Sequence, residues 1–190
     1  MIRLLDPAGF RTVPWKNGGG TATDIAVSLG ADGEADWRVG TAAILKDGPF
    51  SDYAEVTRTF TIVEGPGVHL DFEGQGTRTL DRDQPTVFAG APAPFCRLRD
   101  GKAATAFNLL TRDGAATGEV SIRRGRGGED PVAAAPVVVL LALEEAWSVT
   151  ADGETVVVHQ GAAVQVEGAQ AVTVSSAPGG RAAVVTITPG

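Results

Sequence analysis

One cysteine, Cys96, occurs among 190 residues, so no intrachain disulfide framework can form and a reducing, cytoplasmic setting is expected. Cys96 sits in the mostly apolar run PFCRL with no histidine beside it, and no Gly-x-Ser-x-Gly elbow occurs. Nucleophilic catalysis therefore has no signature, and the thiol reads as a small core residue. Histidine is nearly as scarce: His69 and His159 belong to no His-x-His cluster, so zinc or iron chemistry lacks a ligand set. His69 shares strand parity with Asp71, which leaves a weak metal site as an alternative; the expectation is no metal and no cofactor. No apolar run reaches membrane-spanning length, the longest, residues 137–143, being strand-sized. The opening MIRLLDPAGF places an arginine, an aspartate and a proline before any stretch long enough for a signal core. Lysine and arginine together number 16 against 23 acids, a net charge of -7. Such a chain repels polyanions at long range, so neither nucleic acid nor an anionic membrane is an expected partner. A local cationic cluster can still hold a small anion.

What the chain has in quantity is punctuation. Its 25 glycines and 11 prolines break it about every 8 to 12 residues and leave few stretches of helical length, which favours an all-β sandwich or barrel. A faint internal repeat accompanies this pattern: a shift of 79 positions (153 minus 74) superposes FTIVEGPGVHLDFEG, residues 60–74, on VLLALEEAWSVTADG, residues 139–153. Both read as strand, tight connection, alternating strand and turn, the second ending in an Asp152-Gly153 hairpin signal. With the register slipped by about one residue, AFNLLT (106–111) falls opposite VVTIT (184–188) and Thr186 opposite Asn108. Two copies of six to eight short strands make two small antiparallel barrels or jelly rolls packed together. The glycine, charge and proline content of RRGRGGEDPVAAAP marks residues 123–136 as the connector. The expected division is 1–122 for a barrel carrying the ligand pocket, 123–136 for the linker and 137–190 for the second half, with exchange of strands between halves left open.

Strand parity then isolates unusual interior positions. In TRTFTIVE (57–64) Arg58, Phe60 and Ile62 share one face, with Thr57, Thr59 and Thr61 expected toward water. An unpaired guanidinium on an apolar face is costly, so Arg58 needs either a structural carboxylate or a ligand. In AFNLLTR (106–112) Asn108, Leu110 and Arg112 project together, and Asn108 must find interior hydrogen bonds or face a cavity. In ADWRVGTA (35–42) Arg38 lies beside Gly40 and Ala42, which leaves space over that face. Each feature alone fits an ion pair or a bulge cap. Together with Lys16 and Asn17 they form up to four cations and two carboxamides, a donor set suited to a carboxylate.

The segment PWKNGGGTATDI (14–25) is not a phosphate loop, because Lys16 precedes the glycines and no Gly-Lys-Ser/Thr follows. It reads as a wall or lid of a carboxylate pocket, with Trp15 offering an apolar face, Lys16 and Asn17 offering donors, and glycines from Gly18 onward letting the backbone approach a ligand. A glycine-rich turn with an exposed lysine is the plainer alternative.

The ordered series PWKNGGGTATDIA, DWRVGTA, DGPFSDY, TRTFTIVEG and AFNLLTR resembles the HutD/Ves family of cupin-like proteins over residues 10–112, with weaker similarity beyond. The resemblance implies a bicupin of two RmlC-like β-barrels, in agreement with the repeat, and an association with bacterial histidine utilisation. It carries the family motifs onto Trp15, Lys16, Asn17, Gly18, Gly19 and Gly20, onto Trp37 and Arg38, onto Gly48, Pro49, Phe50 and Ser51, onto Arg58, and onto Asn108 and Arg112. The segment after Asn108 departs from the family pattern, which leaves the role of Arg112 less defined. The family lacks the histidine-rich metal motif of other cupins, as does this chain, and metal-free ligand binding is implied. Cupins commonly pair through their sheets, so a homodimer is one implied arrangement.

The leading expectation is non-catalytic binding of a small anionic metabolite, a carboxylate such as urocanate or formylglutamate, that regulates histidine utilisation. Ligand contacts are assigned to Trp15, Lys16, Asn17, Gly18, Arg38, Arg58, Asn108 and Arg112. Two rivals stay open. One is a cupin-type isomerase or lyase using His69 or Glu64 as base; the other is a structural or interaction module in which the inward cations are ion pairs.

Overall fold

The computed structural model describes residues 1–15 and 18–190. The described chain is built of strands and two short 3-10 turns, and no helix among the described residues is long and apolar enough to cross a membrane. In order the strands are β1 (Ile2–Leu5), β2 (Arg11–Pro14), β3 (Gly20–Leu29), β4 (Ala35–Ile44), β5 (Gly48–Pro49), β6 (Val56–Glu64), β7 (Val68–Phe72), β8 (Gly76–Leu80), β9 (Thr86–Ala89), β10 (Phe95–Leu98) and β11 (Ala104–Arg112). There follow β12 (Ala116–Arg124), β13 (Asp130–Val132), β14 (Val137–Glu144), β15 (Trp147–Ala151), β16 (Glu154–Val158), β17 (Ala163–Glu167), β18 (Val172–Ser175) and β19 (Arg181–Pro189).

Two compact units result: the first is residues 11–115, and the second is residues 1–10 with 116–190. The first unit has a six-stranded antiparallel sheet, ordered β2-β3-β4-β11-β6-β9, and a four-stranded sheet, ordered β5-β10-β7-β8. Between them lies a core that includes Phe60, Ile62 and Phe88 from one sheet and Leu70, Phe72 and Cys96 from the other. Fully burying side chains of this size contributes roughly 1.5–3 kcal/mol each. The second unit has sheets ordered β1-β17-β14-β19-β12 and β13-β18-β15-β16. Val138, Leu140, Trp147, Val149, Val164 and Val184 are among its core residues.

The two strand orders superpose. The run β9-β6-β11-β4 of the first unit corresponds to β17-β14-β19-β12 of the second, and β5-β10-β7-β8 to β13-β18-β15-β16. The duplication expected from the repeat is therefore present as topology, and a shared irregularity sets its register. A bulge interrupts β6 against β11, where Ile62 pairs with Ala106 and Glu64 with Thr105. A second interrupts β14 against β19, where Ala142 pairs with Ala182 and Glu144 with Arg181. Matching the bulges gives a shift of 80 for β6 onto β14 (142 minus 62) and 76 for β11 onto β19 (182 minus 106). Val184, rather than Thr186, thus occupies the place of Asn108, and Val138 that of Arg58. The shift read along the sequence could not see the bulges, each of which moves register without changing composition.

Two further expectations are corrected. The unit boundary falls at 115/116, not 122/123, because β12 pairs along its length with β19, from Ala116 against Pro189 to Arg124 against Arg181. Within the expected linker, residues 130–132 form β13 against β18. Glycine and charge mark solvent exposure, and an exposed segment can still belong to a sheet. The threonines of β6 do not all face water either: Thr59 and Thr61 are 4% and 0% exposed, so this strand is buried on both faces.

Candidate functional site

The first unit contains a cavity of about 530 Å³ bounded by Trp15, Asp24, Arg38, Phe50, Arg58 and Asn108, among other residues. Its floor is the inner face of the six-stranded sheet, and pairing determines the arrangement of side chains there. One cross-strand row runs Asp24, Gly40, Asn108, Phe60 over β3, β4, β11 and β6. The next row sets Arg38, Leu110 and Arg58 side by side on β4, β11 and β6. Gly40 lines the cavity between Asp24 and Asn108. A Cβ at Gly40 would lie 2.4 Å from the Thr23 carbonyl oxygen, so the close approach of β3 requires glycine there.

Arg58 is the buried cation of this floor, 8% exposed. Its Nε and Nη2 both donate to Asn108 Oδ1, at 3.0 and 2.8 Å. Its guanidinium carbon stands 4.4 Å from the Phe50 ring centre, 5.2 Å from Phe60 and 5.8 Å from Phe88, within cation–π range. Among the described residues no carboxylate pairs with it. Burial without a counter-charge pulls its pKa down to about 10, still charged at neutral pH. The carboxamide is oriented by the same contacts: Oδ1 is occupied by Arg58, so the two Nδ2 hydrogens of Asn108 must point elsewhere. Nη1 of Arg58 and Nδ2 of Asn108 have no protein hydrogen-bond partner among the described residues. The deep end of the cavity thus offers adjacent donors and one uncompensated positive charge.

The rim is different. Arg38 and Asp24, with side chains 43% and 26% exposed, approach to 3.5 Å through one nitrogen and one oxygen. A contact so long and single leaves both groups hydrogen-bonding capacity. Trp15 forms an apolar wall, its ring edge-on to Phe50 at 6.2 Å. The loop carrying it closes on itself, Trp15 N donating to Gly20 O and Gly18 N to Trp15 O, both at 2.9 Å.

Of the sequence-assigned residues, the cavity gathers Trp15, Arg38, Arg58 and Asn108. Lys16 and Asn17 lie outside the described residues. Gly18 is exposed, in a left-handed conformation at φ +64, and is not part of the cavity lining. The glycine with a steric role is Gly20, where a Cβ would fall 1.9 Å from Ala43 O, so that residue admits the neighbouring strand and not a ligand. Arg112 is also absent from the cavity: its two terminal nitrogens are bound by Asp32 and Asp36, which raises its pKa. Parity placed Arg112 on the floor-facing side of β11, but the strand continues past the cavity and the β3–β4 connection supplies two acids. Asp24 was overlooked by the sequence reading; its signal was strand parity with Ala22, opposite Gly40, once β3 and β4 are paired.

His69 and Glu64 do not line the cavity. His69 Nδ1 is 2.9 Å from Thr79 Oγ1, and Glu64 Oε2 accepts from Thr105 at 2.9 Å. Among the described residues no group of three His, Cys, Asp or Glu side chains is assembled for a metal. Cys96 is buried in the core, where desolvation pushes its thiol up to about 12.

A duplicated all-β chain with two facing antiparallel sheets in each unit is a bicupin. A family model described as HutD matches residues 8–184. The chain belongs to the HutD family, which is associated with histidine utilisation. It is 30% identical over 108 residues to Protein Ves of Escherichia fergusonii, covering 57% of this chain and 56% of that protein. It is 35% identical over 111 residues to an uncharacterized 21.2 kDa protein in the hutC 3′ region of Pseudomonas putida, covering 57% of each. These alignments span about half the length of the curated relatives. Among solved structures, a conserved protein of unknown function from Pseudomonas aeruginosa PAO1 superposes over 99% of both chains with a TM-score of 0.89 and 25% identity. HutD from Pseudomonas fluorescens SBW25 superposes over 100% of both with a TM-score of 0.83 and 25% identity.

Proposed function

We propose that the first-unit cavity binds a small carboxylate metabolite without transforming it, and that occupancy regulates histidine utilisation in the cytoplasm. The observation that supports this most directly is the Arg58–Asn108 pair: a buried guanidinium with no acid, and a carboxamide whose acceptor is already taken. Such a pair presents donors and positive charge with no acid beside them, which complements a carboxylate. The interior cation is not consumed by a protein acid, as a purely structural role would require. His69 and Glu64, the bases an enzymatic reading would use, make other contacts away from the cavity. Urocanate and formylglutamate are the ligands that the family context suggests.

Calorimetric titration with these two acids tests the reading. Wild-type protein is expected to bind at least one of them, and Arg58→Ala to weaken that binding by about 100-fold, as expected when one partner of a desolvated charge pair is removed. Unchanged affinity in Arg58→Ala, with the variant folded by circular dichroism, would sink it.

A further inference from the structure

The second unit has a cavity of its own, about 390 Å³, and one wall of it is the arginine- and glycine-rich segment after β12, which the carboxylate reading leaves unused. This cavity is not the first one repeated. Val138 and Val184 fill the places of Arg58 and Asn108. Arg123 stands where the first unit has Ala42, since Ala42 pairs with Ala106 and Arg123 with Ala182. Arg123 Nη1 donates to Asp130 Oδ2 at 3.0 Å, so these two charges satisfy each other. The segment is also held in place: Gly125 N donates to Gly180 O at 2.8 Å and Gly127 N to Ser176 O at 3.0 Å, which ties it to the turn between β18 and β19. Glycine at 125 permits this approach, because a Cβ there would lie 2.1 Å from Ala177 O.

Two charges of opposite sign remain at the rim. Arg126 and Glu129, three residues apart on the segment, both line the cavity and are exposed. Neither has a hydrogen-bond or ion-pair partner among the described residues, so they do not meet each other. Arg124 lines the cavity too, but is engaged in a contact of its own. Below the rim the wall is apolar, with Ile122, Trp147 and Val174. An anion alone would reach Arg126 but lie beside Glu129 and Asp130, and a cation alone would reach Glu129 but lie beside Arg124 and Arg126. A molecule with both charges close together serves both residues, and an apolar substituent on it covers the wall below.

We propose that the second-unit cavity binds a free amino acid with an apolar side chain, in its zwitterionic form. The carboxylate lies at Arg126, the ammonium at Glu129, and the side chain against Ile122 and Trp147. The site uses neither Arg58 nor any other residue of the first cavity, and it stands or falls separately from the carboxylate reading.

Calorimetry with L-phenylalanine, phenylpropionate and phenethylamine tests this, the second probe lacking the ammonium and the third the carboxylate. The titrations use the full chain carrying Arg58→Ala, in which the first cavity has lost its anchor and cannot contribute an acid site. Phenylalanine is expected to bind about fivefold tighter than either analogue, the value of one charged contact at an exposed rim. Adding Arg126→Gln should make phenylalanine and phenethylamine equal, and adding Glu129→Gln should make phenylalanine and phenylpropionate equal. No binding of phenylalanine at millimolar concentration, equal affinities for the three probes, or a preference that survives both glutamine variants would overturn the proposal. So would phenylalanine binding that appears only with Arg58 intact, which would put the amino acid in the first cavity. Both rim side chains are exposed, and a melting temperature for each variant excludes loss of fold as the cause.

Discussion

Each unit of this chain buries one arginine, and the two are held in opposite ways. Arg181 of the second unit, 2% exposed, is paired with Glu144 at 2.9 Å across the bulge between β14 and β19. Arg58 of the first unit, 8% exposed, has an amide oxygen and three aromatic rings but no acid. At the bulge of the first unit the equivalent pair is Glu64 with Thr105, an ordinary hydrogen bond of 2.9 Å. In the second unit Val138 and Val184 fill the places of Arg58 and Asn108 with apolar volume. A buried charge that a neighbouring acid satisfies is a structural solution; one left without an acid beside a cavity marks where a ligand anion is wanted.

Asn108→Asp erases the difference most completely, since it supplies the missing acid to Arg58 with almost no change in shape. Anion affinity should fall by about 100-fold or more, read by calorimetry, because the charge at the floor is neutralised and the Nδ2 donor is lost. Stability at neutral pH should not fall, and urea denaturation is the check. Any gain has a defined sign: the new carboxyl would have its pKa held down by Arg58, so the gain is present above the ordinary aspartate range and disappears as pH falls through the depressed value. A variant that still binds the acid as tightly would mean that Arg58 is not the anchor.

Replacing each arginine by methionine tests the same contrast through stability. Arg181→Met separates Glu144 from its partner, and because that carboxylate is 43% exposed and can rehydrate, the loss should be moderate, about 1–2 kcal/mol. Arg58→Met removes a desolvated charge with no acid and should cost less than about 1 kcal/mol, or stabilise. Equal losses in urea denaturation would remove the distinction. Arg112→Ala belongs at the small end: its bridges to Asp32 and Asp36 are partly exposed, so little change in stability by urea denaturation is expected. Ligand affinity should be unchanged in the same titration.

Much of the site was legible one residue at a time. Parity alone put Arg58 and Asn108 on a buried face, and the need to satisfy a buried guanidinium and amide made them a pair worth noticing. Parity also put Arg112 on that side, yet it lies beyond the cavity, because alternation gives the face of a strand and not how far along it a pocket extends. Asp24 went unread for the complementary reason: an acid in an alternating strand looks like solvent-facing polarity until its neighbours Gly40 and Arg38 are known. The glycine run suggested room for a ligand, whereas Gly20 makes room for a neighbouring strand.

The amino-acid sequence by itself determined the class of fold, the duplication and the identity of the interior cation, because turn residues, period-two alternation and the cost of a buried charge are local properties. Tertiary structure alone decided the rest. Bulge register is set by pairing between strands far apart in the chain, so only the folded sheets could place Val138 and Val184 against Arg58 and Asn108. Whether an arginine meets an acid or an empty volume likewise depends on which distant residue stands opposite it: Glu144 for Arg181, Asp32 and Asp36 for Arg112, and for Arg58, among the described residues, Asn108, three aromatic rings and the cavity.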